Sequence, residues 1–443
     1  MNAPILSRPV QAQRELQAQL ISGTVNNALR TPFYRRHLAG VNPAEISLNT
    51  LSTLPGVTKT QLLEAGRSAQ VRDDLVCDEI FTSGTTGPPF VSVRGDREQA
   101  FIRAFYQQFY AGFDYTVRPR GVQINNPYHG GHVTVPSPLH MHRIGIYDRD
   151  SFEYARSLLT GSHRDAGVAA HCTVLVGLER AIRAFAHDTL ARHPDGLFTQ
   201  LDAVVTYAQY LTERGRSLIE RAFNAPVRDR YGMSEVFGGA AQGSGGWYHF
   251  DPSVVAEVVA PSTHNAIREG VGLLVLTALY PFQEAQPLIR YLTGDIVRVT
   301  HADSSRPGEI AIKPMGRERY GILTQDGSDW LLLPADVYEV IDTIDEIKRA
   351  PLFRDSSQVL DPYLIGHPRY HVQFRDEGRC RCITISIELK EDAMRSVDRI
   401  SESLRAGVLL RSASAQAALS AGACTLYVVA TSHFDHDVIS YRE

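Results

Sequence analysis

Apolar residues recur at helical spacing between Gln11 and Leu29 (Leu16, Leu20, Ile21, Leu29), which predicts an opening amphipathic helix. Proline-marked connections follow at Pro43 and Pro55, and Asp78-Glu79-Ile80-Phe81 then runs into a loop of small residues, Thr82 to Gly87. Beyond it, strand and helix signals alternate. Gly121 to Ile124, Ala203 to Val205 and Val227 to Tyr231 read as short strands, and Tyr154 to Leu159, Gly177 to His187 and Thr212 to Phe223 as helices. Such alternation predicts an α/β layered region. After about Tyr248 the pattern turns β-rich, at Val254 to Val259, Gly272 to Leu276 and Ile296 to Val299, which predicts a smaller β subdomain. From Gly316 onward come a β pair (Ile322 to Leu333), a helix (Ala335 to Asp345), strands (Tyr370 to Phe374, Cys382 to Leu389), a second helix (Ala393 to Ala406) and a last strand (Cys424 to Val429). The expected architecture is a large N-terminal α/β region with a β subdomain, residues 1–315, and a small, mobile C-terminal α+β domain, residues 316–443.

Composition narrows the function classes. The 443 residues are 43% hydrophobic and 21% charged, which excludes disorder as the main state. Acidic residues outnumber basic ones 49 to 45, a balance that argues against a nucleic-acid partner. The five cysteines (Cys77, Cys172, Cys380, Cys382, Cys424) suggest no disulfide framework. No run approaches the ~18 apolar residues of a membrane span, and Met1 to Leu20 lacks the central apolar block of a signal peptide. A cytoplasmic protein without a membrane partner is expected; whether it forms a homodimer is left open.

Three short motifs carry candidate chemistry. Thr82-Ser83-Gly84-Thr85-Thr86-Gly87 combines four hydroxyls with two glycines just after an apolar strand end. Glycine lets backbone N–H groups approach an anion and hydroxyls add donors, so the loop suits phosphates, although the same residues make an ordinary turn. Tyr231-Gly232-Met233-Ser234-Glu235 places a carboxylate after a strand, either as a Mg²⁺ ligand beside phosphate or as a helix-start acid. Tyr291-Leu292-Thr293-Gly294-Asp295 ends on an acid placed to accept ribose hydroxyls, or on simple turn chemistry. Gly316-Arg317 follows at the expected domain boundary.

In this order the motifs resemble those of the adenylate-forming superfamily (acyl-CoA synthetases, adenylation domains, luciferases), and more closely its phenylacetate-CoA ligase-like branch. That family's phosphate loop reads S-G-T-T-G, its aromatic/acidic motif Y-G-x-S-E, its ribose motif Y-x-T-x-D and its hinge G-R. Leu333-Pro334-Ala335-Asp336 also resembles the segment after the hinge, and the resemblance covers nearly the whole chain. It implies an enzyme that uses ATP and Mg²⁺ to make an acyl-adenylate, then transfers the acyl group to coenzyme A, a carrier-protein thiol or an amine. Residues Thr82, Ser83, Gly84, Thr85, Thr86 and Gly87 would cradle phosphates. Tyr231 would pack on adenine beside Ala208, Gln209, Gly232, Met233 and Ser234. Glu235 would hold the metal, Asp295 the ribose, and Arg317 ribose or phosphate, with Glu235, Thr86 and Arg317 at the reacting groups. Tyr128, His129 and Gly130 would line the acid pocket opposite Gly238 and Gly239.

The pattern breaks in three places. Relatives often continue the phosphate loop G-K-P, where this chain has Gly87-Pro88-Pro89. They carry a lysine near the C-terminus, whereas the lysines here are Lys59, Lys313, Lys348 and Lys390. One lost electrostatic group costs a charged transition state about 3–4 kcal/mol, so Arg442, Arg411 or a partner would have to substitute. The hinge continues Glu318-Arg319. The leading expectation is adenylation of a small aromatic acid. The alternatives are activation of nitrite or another oxyanion, and an inactive nucleotide-binding regulator.

Overall fold

A computed structural model describes residues 10–71, 77–81, 90–101, 104, 120–125, 140–145, 149–161, 163–165, 168–301, 310–349 and 367–434. Its strands in chain order begin with β1 (Val57–Thr58), β2 (Cys77–Phe81), β3 (Val91–Gly95), β4 (Arg120–Asn125), β5 (His140–Gly145), β6 (His163–Asp165), β7 (Val168–Ala170) and β8 (Cys172–Leu178). The centre holds β9 (Ala203–Tyr207), β10 (Val227–Gly232), β11 (Gly239–Gln242), β12 (Tyr248–Phe250), β13 (Val254–Val259), β14 (Gly270–Ala278), β15 (Tyr291–Thr300) and β16 (Ala311–Arg317). Last come β17 (Ile322–Leu323), β18 (Trp330–Leu332), β19 (Tyr370–Glu377), β20 (Cys380–Glu388) and β21 (Cys424–Thr431).

One sheet organises the first three quarters of the chain. Its order is β13-β14-β15-β16-β12-β11-β10-β9-β8-β4-β5, with β1 beside β15. From β5 to β10 the neighbours run parallel. From β10 through β11, β12, β16, β15 and β14 to β13 they run antiparallel. The β-rich stretch expected after Tyr248 is therefore present, and it continues the parallel half as one hydrogen-bonded sheet.

Parallel strands need covering helices. Helices Arg149–Thr160, Glu179–Arg192 and Glu213–Phe223 supply them, burying Phe152, Phe185 and Phe223 against Val122, Leu175 and Val204. The sequence pattern places a helix start at Gly177, but the structure runs β8 on to Leu178, paired with Tyr207. Gly177 lies flat against the neighbouring strand, where a Cβ would meet the Ile124 carbonyl oxygen at 2.9 Å. Helix Glu213–Phe223 starts where the Thr212 hydroxyl accepts the Gly215 N–H at 2.9 Å, and it stops at Asn224 in the left-handed conformation. The opening helix spans Val10–Leu29, and its apolar face buries Ile21, Val25 and Ala28, with Leu20 and Leu29 packed partly buried beside them. Polar side chains dock it as well, with Gln17 donating to the Val254 carbonyl and Asn27 to the Glu284 carbonyl.

The last part of the chain has its own sheet, β19-β20-β21, which packs Ile383, Ile385 and Ile387 against helices Pro334–Ile341 and Val397–Arg411. Its joint with the larger sheet's helices is ionic. Asp342, fully buried, accepts two hydrogen bonds from Arg183 at 2.8 Å, one from Arg349 at 2.9 Å and one from the Thr212 hydroxyl at 2.6 Å. Burial alone would raise this carboxyl's pKa; the Arg183 charge and hydrogen bonds overcome burial and hold it well below the usual range.

Asp342→Ala would leave two guanidinium groups buried without their carboxylate. It should destabilise the protein by about 3–5 kcal/mol, read from urea denaturation. Because the folded-state pKa is depressed, this contribution is complete above the ionisation of a free aspartate and fades only as pH falls toward the folded value. A stability loss in Asp342→Ala that is the same at neutral pH and in strong acid would contradict the assignment.

Candidate active site

β10 is the strand at which the parallel and antiparallel halves of the sheet meet. Residues singled out from the sequence gather at its carboxyl end, the side where open α/β sheets hold ligands. The chain leaves β10 at Tyr231-Gly232, passes Met233, Ser234 and Glu235, and re-enters the sheet at Gly239 in β11, which pairs with Gly232. Where Gly232 would carry a side chain, no heavy atom lies within 4 Å, so this backbone faces open space. Gly238 (φ +94°) and Gly239 are packed instead. A Cβ would meet the Ser253 hydroxyl at the first and the Tyr231 carbonyl at the second, while the Gly239 N–H donates to Asp251 at 2.9 Å. Beside them, β9 ends at Tyr207 and is followed by Ala208, a non-glycine residue with φ +74°, while Gln209 accepts from the Arg180 N–H at 3.2 Å.

Tyr231, Asp295 and Arg317 form one cluster. The Tyr231 hydroxyl donates to Asp295 Oδ2 at 2.6 Å, and Arg317 Nη1 lies 3.1 Å from Asp295 Oδ1. Asp295 and Arg317 are direct partners across the β15–β16 pair, so the sheet register sets their ion pair. The Thr293 hydroxyl accepts from Asp295 N–H, and the Thr293 carbonyl accepts from Arg317 at 3.2 Å. Burial pushes the Asp295 carboxyl up, opposed by Arg317 and the Tyr231 hydrogen bond. Burial likewise raises the Tyr231 hydroxyl well above its ordinary value, and neighbouring Asp295 adds to this, so it remains a protonated donor. The Arg317 side chain stays 44% exposed and reaches toward solvent.

Glu235 is buried, with Oε1 3.4 Å from Lys59 Nζ and a hydrogen bond from the Tyr291 hydroxyl. Lys59 opens the helix Lys59–Ala65, whose start is set by a capping box between Thr58 and Gln61. Its ammonium also lies 5.6 Å from the ring centroid of Phe90, the residue after Gly87-Pro88-Pro89. Arg94 donates to the Ser234 carbonyl at 3.0 Å. Gln283 holds the next turn, donating to the Glu235 carbonyl at 3.1 Å and accepting the Phe237 N–H at 2.9 Å.

The structure thus brings together Glu235, Tyr231, Asp295 and Arg317 with Gly232, Met233 and Ser234. Thr82, Ser83, Gly84, Thr85, Thr86, Gly87, Tyr128, His129, Gly130 and Arg442 lie outside the described residues. Arg411 is engaged elsewhere, 3.3 Å from Glu213 and 4.0 Å from Glu339. Sequence reasoning missed Lys59, Tyr291, Arg94 and Gln283. Tyr291 heads a motif already singled out, and Thr58-Lys59-Thr60-Gln61 carries a readable capping pattern; Arg94 and Gln283 carry no local signal.

No protein-family profile matches the chain. A phenylacetate-coenzyme A ligase of Thermus thermophilus is 26% identical over 418 residues, covering 88% of this chain and 84% of that protein. Among solved structures, 2-hydroxyisobutyryl-CoA ligase in its postadenylation state aligns over 98% of this chain and 91% of that one, with a TM-score of 0.67 at 14% identity. The same enzyme in its thioesterification state gives 0.56 over 98% and 90%, at 17% identity. ATP-bound MatB from Rhodopseudomonas palustris gives 0.52 over 86% and 70%, at 16% identity. The chain thus shares the fold of 2-hydroxyisobutyryl-CoA ligase and MatB, and over most of its length its sequence is similar to that of a phenylacetate-coenzyme A ligase.

Tyr231→Phe keeps the ring and removes the bond to Asp295. Hydrogen bonds to charged groups are worth about 1.5–3 kcal/mol, so stability should fall by about that amount. Nucleotide affinity should hold if the ring is what meets adenine. Loss of affinity in a stably folded variant would assign the role to the hydroxyl instead.

Proposed function

We propose that this chain is an adenylate-forming ligase that activates a small carboxylic acid, aromatic in the leading reading, with ATP and Mg²⁺, and then passes the acyl group to a thiol or an amine. The observation that carries the reading is the meeting of Glu235 and the Tyr231–Asp295–Arg317 cluster at the carboxyl end of β10. An acyl-CoA ligase relative over most of the chain supports it.

In the first half-reaction an oxygen of the acid attacks the α-phosphorus of ATP. The bond from that phosphorus to the bridging oxygen breaks, and pyrophosphate leaves. In the second half-reaction the thiol or amine attacks the acyl carbon, the carbon–oxygen bond to the phosphate breaks, and AMP leaves as the nucleophile loses its proton. Such chemistry depends on positioning and charge neutralisation. Asp295, held by Tyr231 and Arg317, is presented to accept ribose hydroxyls. Exposed Gly232 lets a flat ring approach the backbone.

Glu235 suits a Mg²⁺ ion, which takes one or two carboxylates and completes its shell with phosphate oxygens and water. Bound there, the ion would supply positive charge for the departing pyrophosphate. Lys59 adds a second positive charge beside the same carboxylate. Residues 316–443 are proposed to act as a lid that turns at Gly316-Arg317 between half-reactions.

Pyrophosphate release from ATP, measured with a panel of aromatic and aliphatic acids, with nitrite plus amines, and without substrate, tests the reading. Acid-dependent release is expected. Release that needs nitrite would replace the acid by an oxyanion, and ATP binding without release would leave only a regulator. Glu235→Ala should abolish Mg²⁺-dependent turnover, and Lys59→Ala should slow it ~10²–10³-fold. Unchanged turnover in either variant removes that residue from the mechanism.

A further inference from the structure

The loop between β14 and β15 carries two buried glutamines whose amides are fully committed to backbone in other segments. Gln283 Nε2 donates to the Glu235 carbonyl at 3.1 Å and to the Gln286 carbonyl at 2.7 Å, while its Oε1 accepts the Phe237 N–H at 2.9 Å. Gln286 Oε1 accepts the Val93 N–H at 3.1 Å, and its Nε2 donates to the Val91 carbonyl at 3.4 Å. Both side chains are almost completely buried.

These partners are not arbitrary. Val91 pairs with Phe81 at the mouth of the β2–β3 hairpin, the two residues that bracket the Ser/Thr/Gly run in the chain. That hairpin is a separate two-stranded sheet, outside the main sheet. The carbonyl of one residue and the N–H of the residue two further on are the groups a parallel neighbouring strand would engage. The Gln286 amide therefore does for β3 what a sheet neighbour would do. Gln283 grips the other side, both ends of the turn Glu235-Val236-Phe237. The loop backbone is tied in as well: Glu98 accepts the N–H groups of Glu284 and Ala285 at 2.5 and 2.8 Å and pairs with Arg94, which donates to the Ser234 carbonyl. Apolar side chains would fill this volume without desolvating two amides. What amides add is a fixed offset between the hairpin and the Glu235 turn.

We propose that Gln283 and Gln286 are positioning residues that brace the Glu235 turn against strand β3, so that Glu235 keeps its place for a Mg²⁺·nucleotide. This inference rests on the nucleotide and metal reading of the site. It goes beyond that reading by assigning the alignment to a loop that touches neither ligand.

The test uses the full chain and α,β-methylene-ATP, titrated by calorimetry with Mg²⁺ and with EDTA, alongside pyrophosphate release and thermal unfolding. Wild-type protein should bind the analogue more tightly with Mg²⁺. Gln283→Leu should keep the EDTA affinity and lose about 10–100-fold of the Mg²⁺-dependent gain, as outer-shell partners of metal ligands typically do. A folded Gln283→Leu with the wild-type Mg²⁺ gain overturns the proposal. Should that variant not fold, Gln286→Leu, which removes the contacts to Val91 and Val93, is read in the same way, and a wild-type Mg²⁺ gain in it overturns the proposal. Mg²⁺-dependent binding without any pyrophosphate release defeats the ligase reading and leaves the clamp to be judged on binding. Absence of Mg²⁺-dependent binding in wild type defeats both.

Discussion

The β10–β11 pairing is the constraint on which the rest of the molecule hangs. There a parallel α/β sheet becomes an antiparallel one without a break in hydrogen bonding, and the chain must reverse between two glycines, Gly232 and Gly239, that lie opposite each other. The reversal lifts Met233, Ser234 and Glu235 off the sheet edge. Because β15 and β16 belong to the same sheet, the Asp295–Arg317 pair is carried to a fixed place relative to that reversal. One continuous backbone ladder thus sets the distances among groups far apart in sequence.

Much of this was legible in the chain. The 3.6 and 2 periodicities located most helices and strands, because their burial is one-sided and local. The motif residues Tyr231, Glu235, Asp295 and Arg317 were legible through the order of their motifs, which resembles one family's, since each motif alone also reads as an ordinary turn or helix start. What could not be read was association across the sheet. That the β-rich stretch joins the parallel half depends on pairing between β10 and β11 and between β12 and β16, and strand patterns do not name their partners. The same holds for Lys59, whose position beside Glu235 comes from β1 pairing with β15, more than two hundred residues later. The helix start at Gly177 was misplaced because a glycine followed by a leucine and a glutamate fits a helix entry as well as the end of an inner strand.

The pattern of polar burial separates two kinds of order. Around Glu235 the polar groups are neutral amides, hydroxyls and backbone, with Lys59 and Arg94 at the margins. These fix geometry while leaving the carboxylate as the principal negative charge. Between the large sheet's helices and the last part of the chain, by contrast, polar burial centres on the Arg183–Asp342 ion pair, joined by the Thr212 hydroxyl.

That ionic joint has a consequence for reuse. Two apolar faces pulled apart would each be left sticky in water, prone to meet the wrong partner before closing again. The Arg183–Asp342–Arg349 joint leaves charged surfaces that water solvates readily, since hydration offsets much of the attraction lost. A contact of this kind is firm while shut and clean while open, as the proposed lid would require.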